Sequence, residues 1–106
     1  MNNFKIAETE TFSKKMNSKK YIHLYDKIVD DVYPTLKTKP FYGPNIKKLK
    51  GEFKDLYQFR IGDFRLFYKI NEQEFIIFIL NIENRQDAYL YGQKHRMLLL
   101  SIHDIS

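Results

Sequence analysis

The segment from Leu56 to Ile70 constrains the fold more than any other, because it reads as two alternating runs on either side of Gly62-Asp63. A Gly-Asp pair between two such runs predicts a tight β-hairpin turn. A turn there pairs Ile61 with Phe64, Arg60 with Arg65, Phe59 with Leu66, Gln58 with Phe67 and Tyr57 with Tyr68. Successive side chains on a strand point to opposite faces. Tyr57, Phe59, Ile61, Phe64, Leu66 and Tyr68 therefore share one face, which is predicted to be core. The other face carries Gln58, Arg60, Arg65, Phe67 and Lys69.

On this register Arg60 and Arg65 are direct cross-strand neighbours, an arrangement that destabilises a ladder by up to ~1 kcal/mol. A phosphate accepts bidentate bonds from guanidinium groups, so an anion between them turns repulsion into attraction. Phe67 beside them offers a ring on which a base could stack. The alternative is that both arginines splay into water, or that Asp55, Asp63 or Glu83 neutralises them. A slip of one residue would dissolve the juxtaposition.

Along the rest of the chain, Phe4 to Ala7 reads as a short edge strand. Thr9 or Thr11 caps a short helix running to Lys20. From Tyr21 to Lys37, the residues Tyr21, Leu24, Ile28, Val32 and Leu36 fall at helical spacing and form one apolar stripe. Pro34 does not suit a helix interior and predicts a kink or break. Thr38 to Asn45 is a loop, and Asn45 to Gly51 a basic turn or short helix. After a turn at Asn71 to Gln73, Glu74 to Ile82 is nearly continuously apolar, as expected of a central strand. Asp87 to Leu100 is predicted to be a terminal helix that packs Met97, Leu98 and Leu100.

A chain of 106 residues holds one domain, here 1–106. Its nine Phe and eight Tyr supply core material and argue against disorder. The absence of cysteine excludes disulfides, thiolate metal sites and a thiol nucleophile. The longest apolar run, Phe75 to Leu80, is far short of the roughly 20 residues of a membrane helix. Met1 to Thr11 lacks the apolar stretch of a signal peptide, so a soluble cytoplasmic protein with no membrane partner is expected. The net charge of +5 suggests a polyanionic partner, either nucleic acid or an acidic protein.

Leu49-Lys50-Gly51, the hairpin block from Leu56 to Ile70, and the block Ile79-Leu80-Asn81-Ile82-Glu83-Asn84-Arg85-Gln86-Asp87-Ala88-Tyr89 together resemble the RelE/ParE superfamily of toxins from type II toxin–antitoxin systems. The resemblance spans roughly residues 4 to 91. It implies an α+β fold: a small antiparallel β-sheet with two N-terminal helices packed on one face, and a C-terminal helix. In the RelE branch it implies a ribosome-dependent mRNA endoribonuclease that cleaves A-site mRNA through attack by the 2′-OH. In the ParE branch it implies a non-nuclease toxin that inhibits DNA gyrase. A degenerate member would only bind antitoxin and operator DNA. The partners implied are a cognate antitoxin, the ribosome and mRNA, with operator DNA reached only through the antitoxin complex. Arg65 matches the arginine on the scissile phosphate, and Arg85 the second catalytic arginine. Tyr89 and Tyr91 both fall near the catalytic tyrosine. Two strand lysines of RelE correspond to Gln58 and Arg60.

Cleavage of this kind needs a base for the 2′-OH, charge stabilisation at phosphorus and a proton for the leaving 5′-oxygen. Arg60, Arg65 and Arg85 supply charge, but arginine stays protonated and makes a poor base. Glu52, Glu83, His95 and a tyrosinate at Tyr89 or Tyr91 are the candidates for the base. Glu83 could equally be the salt-bridge partner of Arg85. Lys47, Lys48 and Lys50 form a basic cluster that, with Gln58 and Phe67, is expected to contact RNA, while Lys14, Lys15, Lys19 and Lys20 read as a solvated face. No His, Asp and Glu set has metal spacing, so neither metal nor cofactor is expected.

Overall fold

The computed structural model describes residues 3–49 and 55–84. Five strands form one sheet in the order β1-β5-β4-β3-β2, with β1 at Lys5–Glu8, β2 at Ile46–Lys48, β3 at Leu56–Ile61, β4 at Phe64–Asn71 and β5 at Ile76–Asn84. Strands β2 to β5 are antiparallel, and β1 adds to the edge of β5 in parallel. The α+β architecture is the expected one, with this parallel edge as an addition to the antiparallel pattern.

The hairpin has the predicted register, with Arg60 opposite Arg65 and Phe59 opposite Leu66. Gly62 takes φ +56 at the first turn position, a conformation that a Cβ would strain. Tyr57, Phe59, Ile61, Leu66 and Tyr68 are all buried in the main core, with Phe64 packed against it.

The helices cover that face. Thr9 caps α1 (Glu10–Met16): its hydroxyl accepts from the Phe12 N–H at 3.2 Å and donates to the Leu80 carbonyl at 2.9 Å. One buried side chain thus starts the helix and ties it to β5. The second helical segment comprises α2 (Ile22–Lys27), a π-helical turn (Ile28–Val32) and α3 (Tyr33–Thr38). The break predicted at Pro34 takes this form: Tyr33 N–H bonds the Ile28 carbonyl one residue further back than in an α-helix. Proline lacks an N–H, and its ring would collide with the carbonyl four residues earlier. Widening one turn accommodates it. The apolar stripe survives, with Tyr21, Ile28, Val32 and Leu36 buried and Leu24 packed against the core.

Three readings change. The first helix ends at Met16 rather than running to Lys20, with Asn17 as its C-cap. Ile46–Lys48 is a strand, not a turn or short helix. Ile46 packs against the core opposite Phe59, and the two lysines leave a short, charged outer edge that resists further strand pairing. The central strand begins at Ile76, because Phe75 closes the preceding turn at φ +56. The expected terminal helix lies outside the described residues. Among the described residues, no helix is long and apolar enough to cross a membrane.

Candidate functional site

The face of the sheet turned away from α1, α2 and α3 has two halves. Toward β5, Leu56, Phe67 and Leu80 form a small buried cluster with Leu49 and Phe78 packed on it. Phe67 is only 1% exposed, so its ring is core and is not open for base stacking. Alternation placed Phe67 on this face correctly, but that face is not wholly solvated.

The half nearest the hairpin turn is polar and basic. Arg60 is exposed and Arg65 half-buried, and they stand opposite each other. Lys47 pairs with Gln58 in the β2–β3 ladder, which puts both on this same face. Lys47, Gln58, Arg60 and Arg65 line a shallow cleft of about 200 Å³. The two arginines also line a larger cleft of about 710 Å³, walled by Lys27, Asp31 and Thr35 from the helical side and by Asp63 from the turn. Lys48 does not join them. It faces the opposite way, its ammonium 5.7 Å from the centre of the Tyr57 ring.

Arg65 is braced by its own hairpin: Nη1 donates to the Gly62 carbonyl at 3.2 Å and to the Phe64 carbonyl at 3.0 Å. Among the described residues, its other N–H groups make no further hydrogen bond. Arg60 has no ion pair among the described residues, and neither Asp55 nor Asp63 neutralises either arginine.

Glu83 lies directly across the β4–β5 ladder from Arg65. Its carboxylate nonetheless pairs with Lys15 of α1, Nζ to Oε1 at 2.9 Å, and takes a 3.0 Å bond from the Asn81 amide. Lys15, expected to be part of a solvated face, is in fact tied into the sheet edge, while Lys14 pairs with Glu10 on the surface. Sequence reasoning missed this because the contact spans 68 residues. The parity of β5 was equally hidden. Phe67 pairs with Asn81 and Tyr68 with Ile79, so Leu80 is an extra, bulged residue. The bulge keeps Ile82 in the core while turning Asn81 and Glu83 toward the arginine face.

The arrangement can bind a doubly charged oxyanion and stabilise charge that develops on it. Lys50, Glu52, Arg85, Tyr89, Tyr91 and His95 lie outside the described residues. No cluster of three His, Asp or Glu side chains occurs among the described residues.

Solved structures share this fold. The toxin–antitoxin complex RelBE2 of Mycobacterium tuberculosis superposes with a TM-score of 0.60 at 19% identity, over 78% of this chain and 99% of that one. A mutant of E. coli toxin RelE in the free state gives 0.59 at 20% identity, over 92% and 98%. A YoeB/ParE toxin from Agrobacterium tumefaciens gives 0.61 at 16% identity, over 76% and 98%. No curated protein sequence matches the chain. The profile of a family described as the ParE toxin of the type II toxin–antitoxin system, parDE, matches residues 10–89. With its hairpin, sheet order and family match in agreement, the chain belongs to the ParE toxin family and is a toxin of a type II toxin–antitoxin system.

Proposed function

We propose that this toxin is a ribosome-dependent, metal-independent mRNA endoribonuclease. The observation that carries the reading is the Arg60–Arg65 pair, held at a like-charge register with Lys47 and Gln58 beside it and, among the described residues, no carboxylate paired with either arginine. Such a pair is unfavourable alone and favourable around a phosphate. Arg65 then holds the scissile phosphate, Arg60 and Lys47 grip the backbone, and Gln58 donates to a non-bridging oxygen. Arg85 and one of Tyr89 or Tyr91 complete the chemistry from the C-terminal segment. Structural likeness to RelE supports this reading.

The cognate antitoxin, suggested by the RelBE complexes, lays an acidic segment over the arginine face and so blocks it.

A second reading, inhibition of DNA gyrase without cleavage, is favoured by the parDE description of the family. It is favoured too by Glu83, whose carboxylate is occupied by Lys15 and thus poorly placed as a base. One experiment separates the two: primer extension on a defined mRNA in a purified translation system, with wild type beside Arg65→Ala and Arg85→Ala. The ribonuclease reading expects cuts inside the A-site codon, lost in both variants. Uncut mRNA with translation unaffected, together with loss of gyrase supercoiling, establishes the alternative.

A further inference from the structure

Across the sheet, near the hairpin, Arg60, Arg65, Glu83 and Lys15 form one row, contributed by β3, β4, β5 and α1. Arg65 and Glu83 are cross-strand partners, whose Cβ atoms lie about 4.5–5.5 Å apart in such ladders. An Arg–Glu pair at that spacing is within reach of a bidentate ion pair. Here none forms. Lys15 Nζ sits among three acceptors: Glu83 Oε1 at 2.9 Å, the Ile82 carbonyl at 2.6 Å and Asn81 Oδ1 at 3.3 Å. The Asn81 amide, in a residue that is 7% exposed, closes the ring by donating to the same Glu83 oxygen.

The local fold explains why Lys15 is there. β1 pairs with β5 only as far as Ile79, and α1 packs against β5, with Lys15 reaching the Ile82 carbonyl beyond that point. The bulge at Leu80 then turns Asn81 and Glu83 toward the face that Arg65 occupies.

We infer that Lys15 is a positioning residue that withholds Glu83 from Arg65 and so keeps the arginine face open to phosphate. The inference rests on the reading that Arg60 and Arg65 bind an RNA phosphate. Lys15 itself does not touch the ligand. Without it, the Glu83 carboxylate swings to Arg65 and occupies the site from within.

The test is the affinity of the full chain for a short fluorescent single-stranded RNA, measured across a salt series. Four proteins are compared: wild type, Lys15→Met, Glu83→Gln and the double variant. Lys15→Met is expected to bind about tenfold more weakly and to lose one phosphate contact from the log–log salt slope, roughly 0.7. Glu83→Gln is expected to change wild type little but to restore most of the affinity in the Lys15→Met background. A double variant as weak as Lys15→Met would mean that Lys15 touches RNA directly, and overturns the inference. So does an equal gain from Glu83→Gln in both backgrounds, or a Lys15→Met protein that binds like wild type. Wild type that binds no RNA overturns the phosphate reading itself, and the inference with it. If Lys15→Met fails to fold, Lys15→Gln, which can still donate to the Ile82 carbonyl, is measured by the same criteria.

Discussion

Arg60 and Arg65 face each other across the β3–β4 ladder, and among the described residues no carboxylate pairs with either. Their repulsion is screened by water and salt, so it costs a few tenths of a kcal/mol rather than the full cross-strand penalty. Arg60→Gln is therefore expected to raise the melting temperature at low salt by roughly 1–3 °C. The same substitution should weaken RNA binding. Adding phosphate should stabilise wild type more than the variant. Thermal melts with and without phosphate check both parts, and a variant that melts lower than wild type contradicts the argument.

Lys47 and Lys48 are neighbours in sequence but face opposite sides of the sheet. Lys47→Ala should weaken single-stranded RNA binding and reduce the salt slope by roughly 0.7, the share of one phosphate contact. Lys48→Ala should leave the slope unchanged, because its ammonium lies over Tyr57 on the helix side. Equal losses from the two would mean that RNA does not follow the face that carries Arg60 and Arg65.

Glu8 joins β1 to the helices: its Oε2 accepts from the Tyr33 hydroxyl at 2.6 Å and from Tyr25 at 2.8 Å. Glu8→Ala leaves the Tyr33 hydroxyl, in a residue 7% exposed, without its acceptor. The expected loss is about 1–3 kcal/mol, against about 1 for Tyr33→Phe, which removes donor and need together. Urea denaturation gives both values; the reverse order would show that Glu8 is not the acceptor that matters.

Burial, then the hydrogen bond and charge of Glu8, push the Tyr33 hydroxyl pKa well up, and Tyr25 shifts the same way. Burial pushes Tyr68 up as well, its hydroxyl donating to the Pro40 carbonyl at 2.7 Å. A raised folded-state pKa means that the unfolded chain releases these protons first. Their contribution is thus whole below about pH 10, the unfolded tyrosine value, and is lost progressively above it. The urea midpoint should fall between about pH 9 and pH 11, and Tyr33→Phe should flatten that fall. An equally steep fall in the variant would assign the alkaline loss to other groups.

Phe75 holds φ +56, a conformation that costs an L-residue other than Gly or Asn roughly 1–2 kcal/mol. It is kept there by the Lys5 N–H, which donates to its carbonyl at 2.8 Å, and by an edge contact with the Phe4 ring at 5.6 Å. Melting temperatures should rank Phe75→Asn at or above wild type and Phe75→Val clearly below, since β-branching suits this region worst. The opposite ranking would mean that the ring contact outweighs the backbone.

What the residues determined by themselves was local and periodic. The Gly62-Asp63 turn set the hairpin register, and with it the arginine pair and the buried face of Tyr57, Phe59, Ile61, Leu66 and Tyr68. The helical stripe and the disturbance at Pro34 were equally legible, because a spacing and a missing N–H act within a few residues. The tertiary structure decided the rest. Ile76 to Ile82 is apolar at most positions, so no alternation could reveal the Leu80 bulge that brings Glu83 beside Arg65. Nor could charge count distinguish Lys15, tied to Glu83 across 68 residues, from Lys14, paired one helical turn away on the surface. Phe67 alternates with the arginines yet is buried, since an alternating pattern separates two faces without saying what packs on either. Contacts between distant segments depend on where the chain folds back, and that is set by the packing of the whole sheet and its helices rather than by any one stretch of sequence.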